Sequence, residues 1–329
     1  MITKQPIQSQ LRLKAHLMHI QQLSIFIFLP VFILATGGCS SFQNNTGYDL
    51  EKQIERQQIQ QEMASELTVQ EEKSATEYED LGDRFLLQSD INRAYIYYVK
   101  GLGEDPNNVS ILHKQGALLL RKNKYSEAEA IYEKLLAIDN NDLLALEGRG
   151  KVYFGLSNFS EAEKIFLNVL AVKPDQWPSH EYLGMIYSQK GNYTQAINRF
   201  KTALVYQPRN TRIGNNLAVT YYLNGDFNEA VRLYQIILKT SKNQKTHNNL
   251  ALAYFQLGLY DEALDSFRNG TDTEAVAYNN LGYEYLTHKS YKEAVTAFEK
   301  AIELYPKFYP SAQKNLNIAQ KEIQVLQEN

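Results

Sequence analysis

Histidine and carboxylate side chains are the residues here that could do chemistry, but their spacing does not build a catalytic or metal site. Four histidines follow the N-terminal segment in separate parts of the chain: His113, His180, His247 and His288. His180-Glu181 begins like a zinc-protease motif, but the second histidine would fall at Gly184, so the ligand pair is incomplete. Gly148-Arg149-Gly150 lacks the third glycine of a dinucleotide-binding loop. We therefore predict no catalytic residue, no metal site and no cofactor.

A pattern of small and aromatic residues repeats through most of the chain. Within Trp177–Asn210 it occupies positions 7, 8, 11, 15, 20, 24, 27 and 32 of a unit of about 34 residues: Leu183, Gly184, Tyr187, Gly191, Ala196, Phe200, Ala203 and Pro208. Pairs of small residues twelve apart recur seven times: Gly82/Ala94, Gly116/Ala128, Gly150/Ala162, Gly184/Ala196, Ala218/Ala230, Ala251/Ala263 and Gly282/Ala294. Because small side chains let antiparallel helices approach closely, the pattern predicts seven helical hairpins.

This pattern resembles the tetratricopeptide-repeat (TPR) family over residues 75–308. The resemblance implies an all-α fold, a right-handed superhelical solenoid of about seven TPR helix–turn–helix repeats. Beyond the repeats, apolar residues recur at alternating spacings of four and three: Ala312, Leu316, Ala319, Ile323 and Leu326. They predict a capping helix within residues 309–329, which covers the open face of the last repeat. Asn269-Gly270 is a strong turn signal and predicts an early end to the second helix of the sixth repeat.

The N-terminal segment has the pattern of a targeting signal. Lys4, Arg12 and Lys14 form a positive region, and thirteen nearly all apolar residues follow at Leu23–Ala35. That run is too short to span a bilayer, which takes about 20 helical residues. The arrangement resembles a bacterial lipoprotein signal peptide over residues 1–38.

The lipoprotein resemblance implies that Cys39, the only cysteine, carries the lipid and becomes the first residue of the mature protein. Ser40 follows it, which by the same resemblance implies sorting to the outer membrane, with the protein facing the periplasm. Thr36 departs from the family pattern, in which Leu is commoner, so a plain anchor and an ordinary signal peptide stay open as alternatives.

Residues 39–74 connect this signal to the repeats. Ser40–Gly47 is polar and predicts a flexible tether. Tyr48–Ser74 is rich in Gln and Glu, contains no Gly or Pro, and predicts a helix with a thin apolar stripe: Leu50, Ile54, Met63 and Leu67. Two interpretations stay open, a solvated spacer and a helix that packs on the first repeat.

Composition and charge exclude some classes of function. The chain has 329 residues, of which 44% are hydrophobic, so it can bury a large core and is not disordered. Its net charge is −3, and removing the three positive charges of residues 1–38 leaves −6. A nucleic-acid partner would favour a basic stripe, so we predict none.

The TPR resemblance also implies a concave groove lined by the first helix of each repeat, with repeat positions 5 and 12 facing inward. Asn215, Asn248 and Asn279 occupy position 5 of the last three repeats. Amide side chains both donate and accept, so these three could hold the backbone of a peptide partner. Position 12 adds an apolar wall: Tyr222, Phe255 and Leu286. The alternative is that the asparagines and aromatic residues hold neighbouring repeats together.

A lipid-anchored TPR solenoid implies an interaction scaffold rather than an enzyme. Asn216-Leu217-Ala218, Asn249–Ala253 and Asn280-Leu281-Gly282 are similar to repeat segments of lipoproteins that serve Flp/Tad-type pilus assembly. That resemblance implies a periplasm-facing scaffold that binds protein or peptide partners, such as secretin, pilin or secretion subunits, and reaches the membrane through its N-terminal lipid. Two alternatives stay open: an adaptor that recruits cell-wall hydrolases, and an exopolysaccharide-export lipoprotein.

Overall fold

The computed structural model describes residues 73–305, 307 and 309–328, and within them the chain forms fifteen α-helices and no strand. The helices are α1 (Ala75–Leu87), α2 (Ile91–Glu104), α3 (Val109–Arg121), α4 (Tyr125–Ile138), α5 (Leu143–Gly155), α6 (Phe159–Val172), α7 (Trp177–Gln189), α8 (Tyr193–Tyr206), α9 (Thr211–Asn224), α10 (Phe227–Leu238), α11 (Gln244–Gln256), α12 (Tyr260–Asn269), α13 (Glu274–Thr287), α14 (Tyr291–Leu304) and α15 (Pro310–Glu328). The first fourteen form seven consecutive hairpins, and the predicted all-α repeat fold is confirmed.

The described residues divide into two compact units. The first unit contains residues 73–174 with α1 to α6, and the second contains residues 175–328 with α7 to α15. Within each unit, the two helices of a hairpin pack against each other, and the second helix contacts the first helix of the next hairpin. The stability of each unit is therefore close to a sum over repeats and their nearest-neighbour interfaces.

The first helix of nearly every repeat begins at a polar residue that caps it. Six such side chains accept hydrogen bonds from backbone N–H groups of the first turn: Ser74, Asn108, Asp142, Asn210, Asn243 and Thr273. Ser74 and Glu77 form a complete capping box. α7 instead follows Gln176 and has Pro178 in its first turn, where proline fits a helix start.

Capping of the second helices is less complete. Five of these helices follow an Asp, Asn or Ser at the N-cap position: Asp90, Asn158, Asn192, Asp226 and Ser290. The side chains of Asp90 and Asn158 accept from the first turn, whereas the other three make no capping hydrogen bond. The Asp226 carboxylate instead accepts from Nδ2 of Asn224 at 2.7 Å. The side-chain amide of Asn224 is therefore the donor here, in place of a backbone N–H group of the first turn.

Small residues mark the close approach of the two helices of a hairpin, and the structure shows what they approach. The paired alanines are fully buried: Ala94, Ala128, Ala162, Ala196, Ala230, Ala263 and Ala294. A Cβ atom on Gly184 would lie 2.7 Å from Cε1 of Phe200, and one on Gly116 would lie 2.9 Å from Cζ of Tyr132. The glycine therefore makes room for the aromatic ring sixteen residues later, rather than for the paired alanine.

The C-terminal part of the chain contains a shortened helix, α12, and a terminal helix, α15, that packs on the last repeat. α12 has only 10 residues and ends at Asn269, with Gly270 as its C-cap, so the predicted early end is confirmed. α15 buries Leu316 and Ala319 in a cluster with Phe298 of α14. Leu326, predicted to belong to the same apolar face, is 66% exposed. With 19 residues against the 14 of α14, α15 is about 7 Å longer, so its last turn has less to pack against.

Several predictions lie outside the described residues. They are the signal peptide over residues 1–38, lipid attachment at Cys39, and the tether and helix over residues 39–72. Lys73 and Ser74, which the helix prediction included, are described and are not helical, because Ser74 caps α1. No helix in the described part of the chain is both long and apolar enough to cross a membrane.

Candidate functional site

Asn215, the first of the predicted partner-binding asparagines, already holds two neighbouring helices. Its Nδ2 donates to the carbonyl oxygen of Thr211 at 2.8 Å, within α9. Its Oδ1 accepts from Oγ1 of Thr246 in α11 at 3.0 Å. Thr246 is 1% exposed, so this bond links repeat 5 to repeat 6 inside the protein.

Asn248 is a buried contact rather than part of an open groove. Its side chain is in α11 and the residue is 9% exposed. Its Nδ2 donates to the carbonyl oxygen of Gly270 at 3.0 Å. A Cβ atom on Gly270 would lie 2.2 Å from Oδ1 of Asn248, so a glycine is needed for the backbone to come this close. The amide of Asn248 is thus used to secure the early end of α12, and its role in binding a peptide stays a prediction.

Asn279 connects the last repeat to the terminal helix. It is half-buried in α13, and its Oδ1 accepts from Nδ2 of Asn315 in α15 at 3.3 Å. All three asparagines thus bond to an element further along the chain. The hydrogen bonds favour the alternative interpretation, in which position 5 holds neighbouring repeats together.

At position 5 of the four earlier repeats the residue types differ, and three of the four side chains are shown in contact with the next repeat. In the first unit, Glu79 accepts from Nζ of Lys114 at 2.6 Å. Nε2 of His113 lies 2.7 Å from the carboxylate of Asp142, which caps α5. In the second unit, the fully buried Glu181 accepts from Nη2 of Arg212 at 2.7 Å. Glu147, also buried, forms an ion pair with Lys151 of its own helix.

The predicted apolar wall at position 12 is mostly core. Tyr222 is 7% exposed and its ring centroid lies 5.3 Å from that of Phe227. The Tyr222 hydroxyl accepts from Nε2 of Gln256 at 3.2 Å. Burial raises the pKa of this hydroxyl, and the negative charge of Glu284 raises it further, so the group stays protonated. The ring of Tyr222 is thus used in packing and its hydroxyl in a hydrogen bond between repeats, and its role in the groove stays a prediction.

Phe255 and Leu286 also pack within the repeats. Phe255 is 5% exposed, and its ring centroid lies 5.1 Å from both Tyr260 and Tyr285. Leu286 is half-buried against the cluster that contains Phe298 and Leu316. The buried ring of Phe255 fills the corner between α11 and α12, and a groove wall at position 12 stays a prediction.

The titratable residues of the described chain form no cluster suited to a metal ion. No group of three or more His, Cys, Asp or Glu within residues 73–305, 307 and 309–328 could hold a metal ion. Nδ1 of His180 lies 3.4 Å from Nη1 of Arg199, a contact within one hairpin. Partial burial lowers the pKa of His247.

A local excess of positive charge was missed in the sequence prediction. Residues 182–260 contain nine lysines and arginines but only two acidic residues, Asp226 and Glu229. The net charge of the whole chain hid this segment because the remaining sequence is strongly acidic. A count over windows of two repeats would have found it.

Models of the repeat family match most of the helical part of the chain. Four models described as tetratricopeptide repeat match residues 119–183, 212–241, 244–273 and 275–308, and one described as TPR repeat matches residues 184–225. With the helical hairpins, these matches define a repeat protein of the class that binds other proteins. The chain belongs to the tetratricopeptide-repeat family.

Solved structures with a similar fold include other repeat proteins. A tetratricopeptide repeat protein from Parabacteroides merdae ATCC 43184 is 21% identical, with a TM-score of 0.51, covering 75% of this chain and 98% of that one. MamA, residues 41 to the end, from Desulfovibrio magneticus RS-1 is 19% identical with a TM-score of 0.44, covering 50% and 93%. The APC/C hetero-tetramer Cut9–Hcn1 gives 18% identity and a TM-score of 0.48, covering 72% and 51%. No curated protein matches the sequence.

Proposed function

We propose that this chain is a non-catalytic, lipid-anchored scaffold of a bacterial cell envelope that binds protein subunits of a pilus or secretion machine. The observation that carries the proposal is the combination, in one sequence, of seven TPR hairpins and a lipoprotein-like segment ending at Cys39. The hairpins supply a large protein-binding surface, and the segment supplies a membrane anchor.

The contacts of the predicted site residues bear on where we propose that partners bind. The position 5 side chains Asn215, Asn248 and Asn279 are engaged between repeats, and Tyr222 and Phe255 are buried. In this proposal, partner binding therefore depends on exposed side chains beside this row. The repeat fold, which is generally a scaffold for protein interactions, supports the non-catalytic part of the proposal.

The test compares the parent chain with Cys39→Ser in cross-linked cells. Removing the thiol eliminates the atom that would carry the lipid, so the variant should lose labelled fatty acid and leave the membrane fraction. We expect mass spectrometry of parent complexes to recover secretin, pilin or secretion subunits, and recovery to fall in the variant. Unchanged membrane fractionation of Cys39→Ser would refute the anchor. Capture of cell-wall hydrolases instead of machine subunits would favour the adaptor alternative.

A further inference from the structure

Five exposed basic residues lie at the loops that join repeat 4 to repeat 5 and repeat 5 to repeat 6. Arg209 and Arg212 belong to the first loop and the start of α9, and Lys239, Lys242 and Lys245 to the second loop and the start of α11. We call these five residues the basic edge. The Arg212 side chain is 61% exposed even while it contacts Glu181.

Contacts between neighbouring repeats bring the two loops of the basic edge side by side. Arg212 and Lys245 each occupy the second residue of their helix, α9 and α11. Just beyond them, Asn215 and Thr246 are joined by a hydrogen bond of 3.0 Å. The first turns of the two helices are therefore neighbours, and so are the basic residues that they present.

The acidic residues of the same segment lie at the other end of these hairpins. Asp226 and Glu229 are at the turn between α9 and α10, and Glu229 is paired with Arg232 at 2.7 Å. No carboxylate within residues 73–305, 307 and 309–328 forms an ion pair with Arg209, Lys239 or Lys242. Three of the five positive charges of the basic edge are thus not paired with a carboxylate of the described residues.

An anion at the basic edge would be held by side chains. Asn210 accepts from the N–H groups of Arg212 and Ile213, and Asn243 accepts from those of Lys245 and Thr246. These backbone donors at the two helix starts are therefore already used. Lysine and arginine side chains remain as the donors for a negatively charged ligand.

The length of the basic edge favours one class of anionic partner, a short acidic protein segment, over a membrane surface or a long nucleic acid. On the next inter-repeat loop, Asp272 accepts from Nε2 of Gln244 at 3.1 Å, and Glu274 begins α13. The positive strip therefore ends after two loops. A membrane surface or a long nucleic acid would also meet these carboxylates, whereas a short acidic segment of a protein would not.

We propose that the basic edge is the docking surface for an acidic segment of a partner protein. This inference rests on the proposed scaffold function and adds the chemistry by which one partner is recognised. Its interaction is electrostatic and exposed, so binding should weaken as salt rises from about 0.05 M to about 0.5 M.

The test measures fluorescence anisotropy of a labelled peptide of alternating Glu and Ser with the full chain in non-ionic detergent. We expect Lys239→Glu with Lys242→Glu to weaken binding about tenfold or more, since attraction becomes repulsion at two adjacent positions. The matched control is Lys289→Glu with Lys292→Glu, which has the same spacing and change in net charge but lies at the turn after α13 and in the first turn of α14. The control should bind as the parent does.

Several results would overturn the basic edge as a docking surface. One is that the two double variants weaken binding equally. Another is that a matched peptide of Gln and Ser binds as tightly as the acidic peptide. A third is that duplex DNA or phosphatidylglycerol vesicles bind more tightly than the acidic peptide. Because this assay uses purified protein, its failure is distinguishable from failure of the cellular scaffold test. Capture of machine subunits could persist through another surface.

Discussion

Replacing Gly148 with valine is expected to destabilise the first unit by about 1–3 kcal/mol through overpacking. A Cβ atom at Gly148 in α5 would lie 2.2 Å from Cε1 and 2.3 Å from Cζ of Tyr132 in α4. The Tyr132 ring is 3% exposed and belongs to a core cluster with Leu112 and Leu119. It has no space to move aside, so α4 and α5 must separate. Urea unfolding, with hydrogen exchange of α4 and α5, measures the effect.

Gly103→Ala is the matched control for the Gly148 substitution. Gly103 also lies in a helix of the first unit, α2, but a Cβ atom there would meet nothing within 4 Å. Alanine is the better helix former, so this variant should gain up to about 1 kcal/mol. Equal stability of the Gly148→Val variant and the parent would show that the helices do not meet at Gly148.

Asn248→Ala is expected to destabilise the second unit by about 1–3 kcal/mol. The substitution removes the Nδ2 group of Asn248, which donates to the carbonyl oxygen of Gly270. The buried carbonyl oxygen of Gly270 then loses this hydrogen bond. The better helix propensity of alanine offsets about 0.5 kcal/mol of the loss. Hydrogen exchange should show faster opening at α12 and at the start of α13, the elements that this bond secures.

Asn280→Ala provides the comparison for Asn248→Ala. Asn280 is half-buried in α13 and makes no side-chain hydrogen bond with another residue in the described ranges. Its loss should change the free energy of unfolding by less than about 0.5 kcal/mol. If both asparagine variants unfold alike, the Asn248–Gly270 contact is not what stabilises this junction.

The repeat fold could be predicted because its spacing is a local property of the sequence. Seven pairs of small residues, twelve apart, specify the helical hairpins, and Asn269-Gly270 specifies the short α12. The identity of the contact that each glycine makes could not be read in the same way. Gly184 faces Phe200 rather than Ala196 because helix crossing geometry, and not residue size alone, decides which side chains meet.

The candidate site was harder to predict because position 5 has two possible surroundings. A family pattern places this position on the concave face, but it does not specify whether the side chain meets solvent or the next repeat. Asn248 bonds to Gly270 only because α12 ends early and brings that carbonyl close. Glu181 and Arg212 are 31 residues apart, so their ion pair depends on how repeats stack. Such contacts require the distance between repeats, which composition and spacing do not contain.

The central claim is that the side chains at position 5 hold the repeats together rather than bind a partner. The most direct test is thermal unfolding of a triple variant that carries Asn215→Ala, Asn248→Ala and Asn279→Ala. Three inter-element hydrogen bonds disappear in this variant. We predict a loss of about 2 kcal/mol or more and a lower melting temperature, while the folded protein still captures its cross-linked partners. An unchanged melting temperature with loss of partner capture would contradict the claim and restore the asparagines as a peptide-binding ladder.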